Sequence, residues 1–311
     1  MSNSRIRRFG RTGLGLIPLG LPVLMFILLA VQSPDFFEPQ NIANVISQVA
    51  ALLIVALGQL LVALIGGIDI SVGSVLSLTS ALIVSIANPW LAIGSALGAS
   101  LLVGAANGVG VTIFGVHPLI MTLASMTFVQ GFTLLVLPAA GGNVPDPLIM
   151  LAKASVGGFP AAFFWCVAVS LIASVLLYKS RFGLRVFAIG ASSENAALNG
   201  VDVITPRVVC YVLCSVSSAV AGIYLTGRIS TGDPTMGQPF SLDSVTAIAL
   251  GGVQLAGGVG SVIGAVLGTV TLGLIANGMN LLGVSPFLRA SLTGVLLLGA
   301  ISLQRRRTIG V

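Results

Sequence analysis

Long apolar runs, parted by short polar turns and repeated from one end of the chain to the other, limit what this polypeptide can become. A run of about 17 to 25 apolar residues crosses the ~30 Å hydrocarbon core of a bilayer as a single helix. The pattern predicts ten such spans, at 16–32, 42–65, 70–87, 91–113, 118–137, 161–178, 208–226, 244–256, 260–277 and 287–304. Composition agrees, with 7% charged and 56% hydrophobic residues and a mean hydropathy of +1.10, where soluble domains are about a quarter charged. No Pro/Ser-rich linker or charged block sets off a soluble unit, so residues 1–311 read as one transmembrane domain in an all-α, polytopic membrane protein. The eighth span is too short to cross upright, and "GGVQLAGGVG" at 251–260 interrupts it, so spans eight and nine read as broken or re-entrant. The opening "SRIRRFGR" and its apolar run lack an A-x-A cleavage pattern and read as an uncleaved first span.

Lys and Arg accumulate in cytoplasmic loops, which lets the orientation be tested. With ten spans and the N-terminus inside, the cytoplasm receives Arg5, Arg7, Arg8, Arg11, Lys179, Arg181, Arg185, Arg207, Arg305, Arg306 and Arg307, and only Lys153, Arg228 and Arg289 fall outside. Both termini are therefore expected in the cytoplasm. Asp35, Glu38, Asp146, Asp233 and Asp243 then face outward. The net charge of +6 sits at span ends, where it sets topology, so nucleic acid is not an expected partner.

The chain also matches itself. "AIGSALGASLLVGAANG" (92–108) aligns with "VIGAVLGTVTLGLIANG" (262–278) at an offset of 170, with eight of seventeen positions identical, among them Asn107 with Asn277. The likeness continues, after a two-residue slip, from "FGVHPLI" (114–120) into "LGVSPFL" (282–288). The copies lie five spans apart, and an odd separation gives them opposite orientations. That is the inverted-repeat arrangement of many transporters, whose pathway runs between the repeats. Gly94 and Gly98, with Gly260, Gly264 and Gly268, form small-xxx-small series suited to close helix packing.

Chemistry is scarce. No G-x-x-x-x-G-K-[ST] phosphate loop is present, so the chain has no means of its own to hydrolyse ATP. No G-x-G-x-x-G points to a dinucleotide cofactor, and none is expected. Cys166, Cys210 and Cys214 lie in apolar runs without further ligands, so they read as buried filler and no metal site is expected. His117 precedes Pro118 in a turn and has no triad or metal partner in view. Asp69, in "GGIDISVGS" (66–74), is placed at the cytoplasmic edge as the N-cap of the third span. The remaining intramembrane polar groups are neutral. Gln48, Gln59, Asn107, Thr122, Ser125, Thr127, Gln130, Asn277 and Asn280 either tie helices together or line a path for an uncharged, hydroxyl-rich solute. Gln59, Asn107, Thr122, Asn277 and Asn280 are the candidates for that path.

The longest cytoplasmic connection is 179–207. Within it "SSENAALNG" has Ser192 or Ser193 as N-cap, Glu194 in the first turn, helix-favouring Ala196, Ala197 and Leu198, and Gly200 as a stop. The segment encodes a short solvent-side helix. It is either an ordinary loop helix or a docking surface for a soluble motor.

Three stretches carry a family resemblance: "ALGQLLVALIGGIDISVGSVLSL" (56–78), "RFGLRVFAIGASSENAALNGVDV" (181–203) and "LDSVTAIALGGVQLAGGVGSVIGAVLGTVTLGLIANGMNLLGVSP" (242–286). They closely resemble the ribose-type sugar permeases of bacterial ABC importers, a group related to branched-chain amino acid permeases, over residues 35–304. The resemblance implies a type II ABC importer-like fold with Gly67, Asp69, Ser71 and Gly73 as its structural motif, Ile70 standing where relatives usually carry Leu. It also implies that 179–207 is a coupling loop. Gly190, Glu194, Asn195, Ala196, Ala197, Gly200 and Val201 match the pattern that engages the ATPase, and "ASSEN" departs from it. The implied partners are a cytoplasmic ABC ATPase, a periplasmic or extracytoplasmic solute-binding protein, and a second permease copy or paralogue, all at the bacterial inner membrane. The permease itself would be non-catalytic and supply passage with little affinity. The alternatives are an amino-acid or nucleoside importer, an ion-coupled carrier, and a purely structural scaffold.

Overall fold

In the bilayer core every backbone polar group must be satisfied within the protein, and the chain meets this with helices almost throughout. The computed structural model describes residues 17–303, so Arg5, Arg7, Arg8, Arg11, Arg305, Arg306 and Arg307 lie outside the described residues. In chain order the helices are α1 (Ile17–Gln32), α2 (Pro39–Leu64), α3 (Val72–Ser85), α4 (Pro89–Thr112), α5 (Pro118–Val136), α6 (Asp146–Lys153), α7 (Ala161–Tyr178), α8 (Arg181–Ala191), α9 (Ser193–Leu198), α10 (Ile204–Ile229), α11 (Gln238–Leu250), α12 (Val262–Leu281) and α13 (Pro286–Leu303). The ten expected spans correspond to α1–α5, α7 and α10–α13. Six of these, α2, α4, α5, α7, α10 and α12, are long and apolar enough to cross a membrane, and α1, α3, α11 and α13 are shorter apolar helices. Prolines at the first or second position open α2, α4, α5 and α11, where a missing N–H is harmless and φ is already helical. The expected outer loop folds α6 and a minimal hairpin, Ser155–Val156 against Phe159–Pro160.

The inverted repeat is visible in the packing. α2 and α10, both 26 residues long, lie side by side. Gly58 meets Cys214 and Ser217, and Tyr224 donates to the Ser47 carbonyl, so the two helices run antiparallel. The next helices correspond in order and length: α3 (14 residues) with α11 (13), α4 (24) with α12 (20), and α5 (19) with α13 (18). Packing is reciprocal, since α4 lies on α10 while α12 lies on α2, and α3 meets α11 between them. The C-terminal part of α2, from Val49 to Leu64, is buried throughout and forms the axis of the core.

Two expectations are corrected here. Gly94 and Gly98 have no neighbour within 4 Å of a would-be Cβ; the close approach of α4 to α10 falls instead at Gly104 and Gly108, against the backbones of Val212 and Val208. In the second half Gly264 and Gly268 do pack closely, on the backbone of α11 at Gly251 and Ala247. The eighth span begins earlier and ends earlier than expected, at Gln238 and Leu250, and the glycine-rich segment after it is a non-helical turn. At 1.5 Å per residue α3 and α11 each reach only about 20 Å, well short of the hydrocarbon thickness. Short helices in matching positions of two inverted halves mark where such folds place their pathway.

Candidate functional site

The segment 66–71 turns back into the bundle between α2 and α3, and three of the sequence-predicted polar residues gather on it. Gln59 is fully buried on α2, and with its side-chain amide O and N assigned to suit its neighbours it donates to the Asp69 carbonyl at 3.0 Å and accepts from the Asp69 N–H at 3.1 Å. Asp69 Oδ1 accepts from the Ser71 N–H at 2.9 Å and the Ser71 hydroxyl at 2.6 Å. The Asn107 amide donates to Ser71 Oγ at 2.9 Å and accepts from the Ser125 hydroxyl. Thr122 donates to the carbonyls of Pro118, at 2.9 Å, and Ile68, at 3.3 Å. A backbone left without a helix must find partners in side chains; Gln59 and Thr122 supply them, and Asn107 holds the Ser71 hydroxyl. Gly67 and Gly73 complete the motif at close approaches, Gly67 beneath the Tyr211 hydroxyl and Gly73 against Gly237 and Ser241 of the second half.

Asp69 is therefore not where the sequence reading put it. Level with Gln59, it is fully buried about 7 Å inside the end of α2. The N-cap position of α3 belongs to Ser71, which makes no side-chain cap bond.

The remaining path candidates sit apart. Asn277, on α12, exchanges hydrogen bonds with Asn41 at 2.7 and 3.3 Å and ties α12 to the start of α2. Asn280 is exposed. His117 stands at the N-cap position of α5 without a side-chain cap bond. Cys210 and Cys214 are buried thiols, and no group of three or more metal-ligating side chains occurs among the described residues.

Residues 179–207 contain two helices where the sequence suggested one. α8 is amphipathic: Gly183, Val186 and Ile189 face inward, and Arg181, Leu184 and Arg185 are exposed. The 3-residue spacing of Gly183, Val186 and Ile189 is the sequence signal for this second helix. α9 stands as expected, with Ser192 as N-cap accepting from the Asn195 N–H at 3.2 Å and Glu194 in the first turn. Gly200 ends it at φ +76°, a left-handed conformation that glycine adopts without strain. Glu194, Asn195, Ala197 and Gly200 are exposed, Leu198 is 79% exposed, and Ala196 is buried beneath them. Asp202 then caps α10, accepting from Ile204 N–H at 3.0 Å and Thr205 N–H at 3.3 Å. Hydrogen bonds from Thr205, first of all, hold its carboxyl below the usual range.

Gly190 belongs to neither exposed set. It joins α8 to the bundle at a junction where a Cβ would overlap the Leu64 carbonyl and stand 2.6 Å from the Gly258 nitrogen. Gly258 N–H donates to the same Leu64 carbonyl at 2.8 Å, and Gly257 lies against Gly66. One contact thus connects the end of α2, the 66–71 segment, the turn after α11 and the α8–α9 pair.

At the opposite end of α2 the helices leave a cavity of about 410 Å³, whose lining includes Gln48, Arg228, Phe240, Asp243, Arg289 and Thr293. Arg289 pairs with Asp243 at 3.6 Å. Sequence reasoning used these three charges only to orient the chain. Their rarity, in a protein with 14 basic and 8 acidic residues, was the available signal that they gather for a purpose.

Inverted halves, short helices meeting between them and an amphipathic helix pair hinged on the bundle define a polytopic helical permease. The comparisons with known proteins agree: residues 41–301 match the family described as branched-chain amino acid transport system / permease component, and the chain belongs to it. It is similar to the ribose import permease protein RbsC of Bacillus subtilis (strain 168), 39% identical over 297 residues, covering 93% of this chain and 92% of that protein. RbsC of Escherichia coli (strain K12) is 32% identical over 294 residues, 92% of each chain. The L-arabinose transport system permease protein AraH of the same strain is 32% identical over 287 residues, 91% of this chain and 88% of its own. No solved structure matches.

Proposed function

We propose that this chain is the membrane permease of a bacterial ABC importer for a sugar, a pentose, hexose or related polyol. The single observation that carries the reading is the α8–α9 pair, joined at Gly190 to the end of α2 and to the turns that flank both short helices. A soluble partner gripping exposed Glu194, Asn195, Ala197 and Gly200 would move Gly190, and with it the segments that enter α3 and leave α11. The chain carries no phosphate loop, so the energy comes from a cytoplasmic ABC ATPase docked on this pair. Similarity along nine-tenths of the chain to permeases named for ribose and L-arabinose favours a sugar over the branched-chain amino acids of the family description.

In this reading Lys179, Arg181, Arg185 and Arg207 mark the cytoplasmic face, both termini are cytoplasmic, and the protein resides in the inner membrane. Two permeases, identical or paralogous, stand side by side, and a solute-binding protein delivers from outside. ATP-driven closure of the ATPase pair shifts α8 and α9, and the short helices switch access from one side to the other. Gln59, Asn107 and Thr122 act as the frame that keeps the 66–71 segment satisfied through that movement, and Asn277 and Asn280 lie at the outward end of α12.

The test is uptake of radiolabelled D-ribose into proteoliposomes holding the permease, its ATPase and its binding protein. Uptake is expected only with ATP and all three components. Accumulation by the permease alone on a proton or sodium gradient removes the reading.

A further inference from the structure

The cavity bounded by α2, α10, α11, α12 and α13 holds polar groups that the protein leaves unanswered. Gln48 Oε1 is buried and has no hydrogen-bond partner. Arg228, half-buried at the end of α10, forms no ion pair among the described residues. Both line the cavity, beside the Asp243–Arg289 pair and Thr293. A buried acceptor left without a donor is costly, and a ligand that donates to it recovers part of that cost. The volume of about 410 Å³ falls in the range of small-molecule pockets, about 300–1,000 Å³.

We propose that this cavity is a solute-holding subsite inside each permease, and that it takes a neutral polyol. The ligand class follows from the unmet groups. Gln48 Oε1 needs a donor and the Arg228 guanidinium needs an acceptor, and a hydroxyl is both. A carboxylate would satisfy Arg228 but leave Gln48 Oε1 unmet and face the carboxylate of Asp243. Phe240 and Leu225 supply apolar wall for the C–H face of a sugar ring. The cavity lies where α2 begins, α10 ends, α11 begins, α12 ends and α13 begins, at the end of the bundle away from Leu64 and Gly190. It therefore lies toward a solute arriving from the side opposite α8 and α9. This inference rests on the transporter reading above.

The test uses the permease alone in lipid nanodiscs, with D-ribose as probe and saturation-transfer NMR as readout. Wild type is expected to transfer saturation to ribose at millimolar concentration, and Gln48→Leu and Arg228→Met each to weaken that binding at least about tenfold. Neither substitution touches the Asp243–Arg289 pair, and thermal unfolding of each variant checks that it folds. Ribose binding equal to wild type in both folded variants, or no ribose signal in wild type, overturns the subsite. ATP-driven uptake by the complete transporter, measured in parallel, separates the two levels. Intact uptake without cavity-dependent binding overturns the subsite alone, whereas absent uptake overturns the reading on which it stands.

Discussion

Gly190, near the end of α8, lies against Leu64, the last residue of α2, with no room for a side chain between them. The Leu64 carbonyl also accepts from Gly258, so one oxygen serves the junction of three segments. Gly190→Ala forces the α8–α9 pair away from the bundle. Overpacking of this kind costs about 1–3 kcal/mol. In the reconstituted transporter ATP hydrolysis is expected to persist while sugar uptake falls at least about tenfold. Uptake at the wild-type rate would show that the junction transmits nothing.

Glu194 and Gly200 test the exposed side of the same unit. Glu194 stands in the first turn of α9, where a negative charge is favoured, and Gly200 holds φ at +76°. Proline fixes φ near −65° and opens that turn. Glu194→Lys and Gly200→Pro are expected to leave membrane insertion unchanged and to uncouple ATP hydrolysis from uptake. If both variants import normally, α9 is not the docking element.

The two asparagines of the repeat are expected to differ in weight. Asn107 is fully buried, donates to Ser71 and accepts from Ser125, so Asn107→Leu removes the acceptor of the Ser125 hydroxyl and one donor to Ser71, at about 1–3 kcal/mol. Asn277 bonds to Asn41 alone, which is part-buried. Thermal unfolding in detergent should show the larger loss for Asn107→Leu; the reverse order would contradict the hydrogen-bond network described for residues 66–71.

Orientation can be read with a single thiol. Cys210 and Cys214 are buried and give little background, so Leu198→Cys in a Cys166→Ser background reports on α9. A membrane-impermeant maleimide is expected to label inverted vesicles and not spheroplasts. Labelling of intact spheroplasts reverses the topology.

Asp202 supplies a pH dependence. Its carboxyl is held below the usual range by hydrogen bonds from Thr205, chiefly, so the folded state favours the ionised form. The stabilisation is fully present above the unfolded carboxylate value, about 3.9, and fades as pH falls through the lower folded one. Asp202→Ala should lower the unfolding temperature at neutral pH, and the gap to wild type should close on acidification below the usual carboxylate range. A gap that widens in acid contradicts the assignment.

Ten apolar segments, their inverted order and the short helix α9 were legible because each is local. Bilayer crossing needs an uninterrupted apolar run, a repeat is visible by self-alignment, and a cap, a first-turn acid and a terminal glycine sit within a few residues. α8 was missed because its 3-residue apolar spacing is interleaved with Arg181 and Arg185, which read as loop charge. Gly94 and Gly98 were misjudged because spacing tells that a helix can be approached closely and not whether a neighbour is there.

The amino-acid order by itself determined that this protein is a bundle of membrane helices with two related halves, since hydrophobicity and periodicity act along the chain. Only the tertiary structure decided that Asp69 lies inside the bundle, held by Gln59, and that Gly190 meets Leu64. It alone brought Gln48, Arg228 and the Asp243–Arg289 pair to one cavity. Those groups stand far apart in sequence, and they become neighbours only when antiparallel helices pack and each buried polar atom must find, or fail to find, a partner.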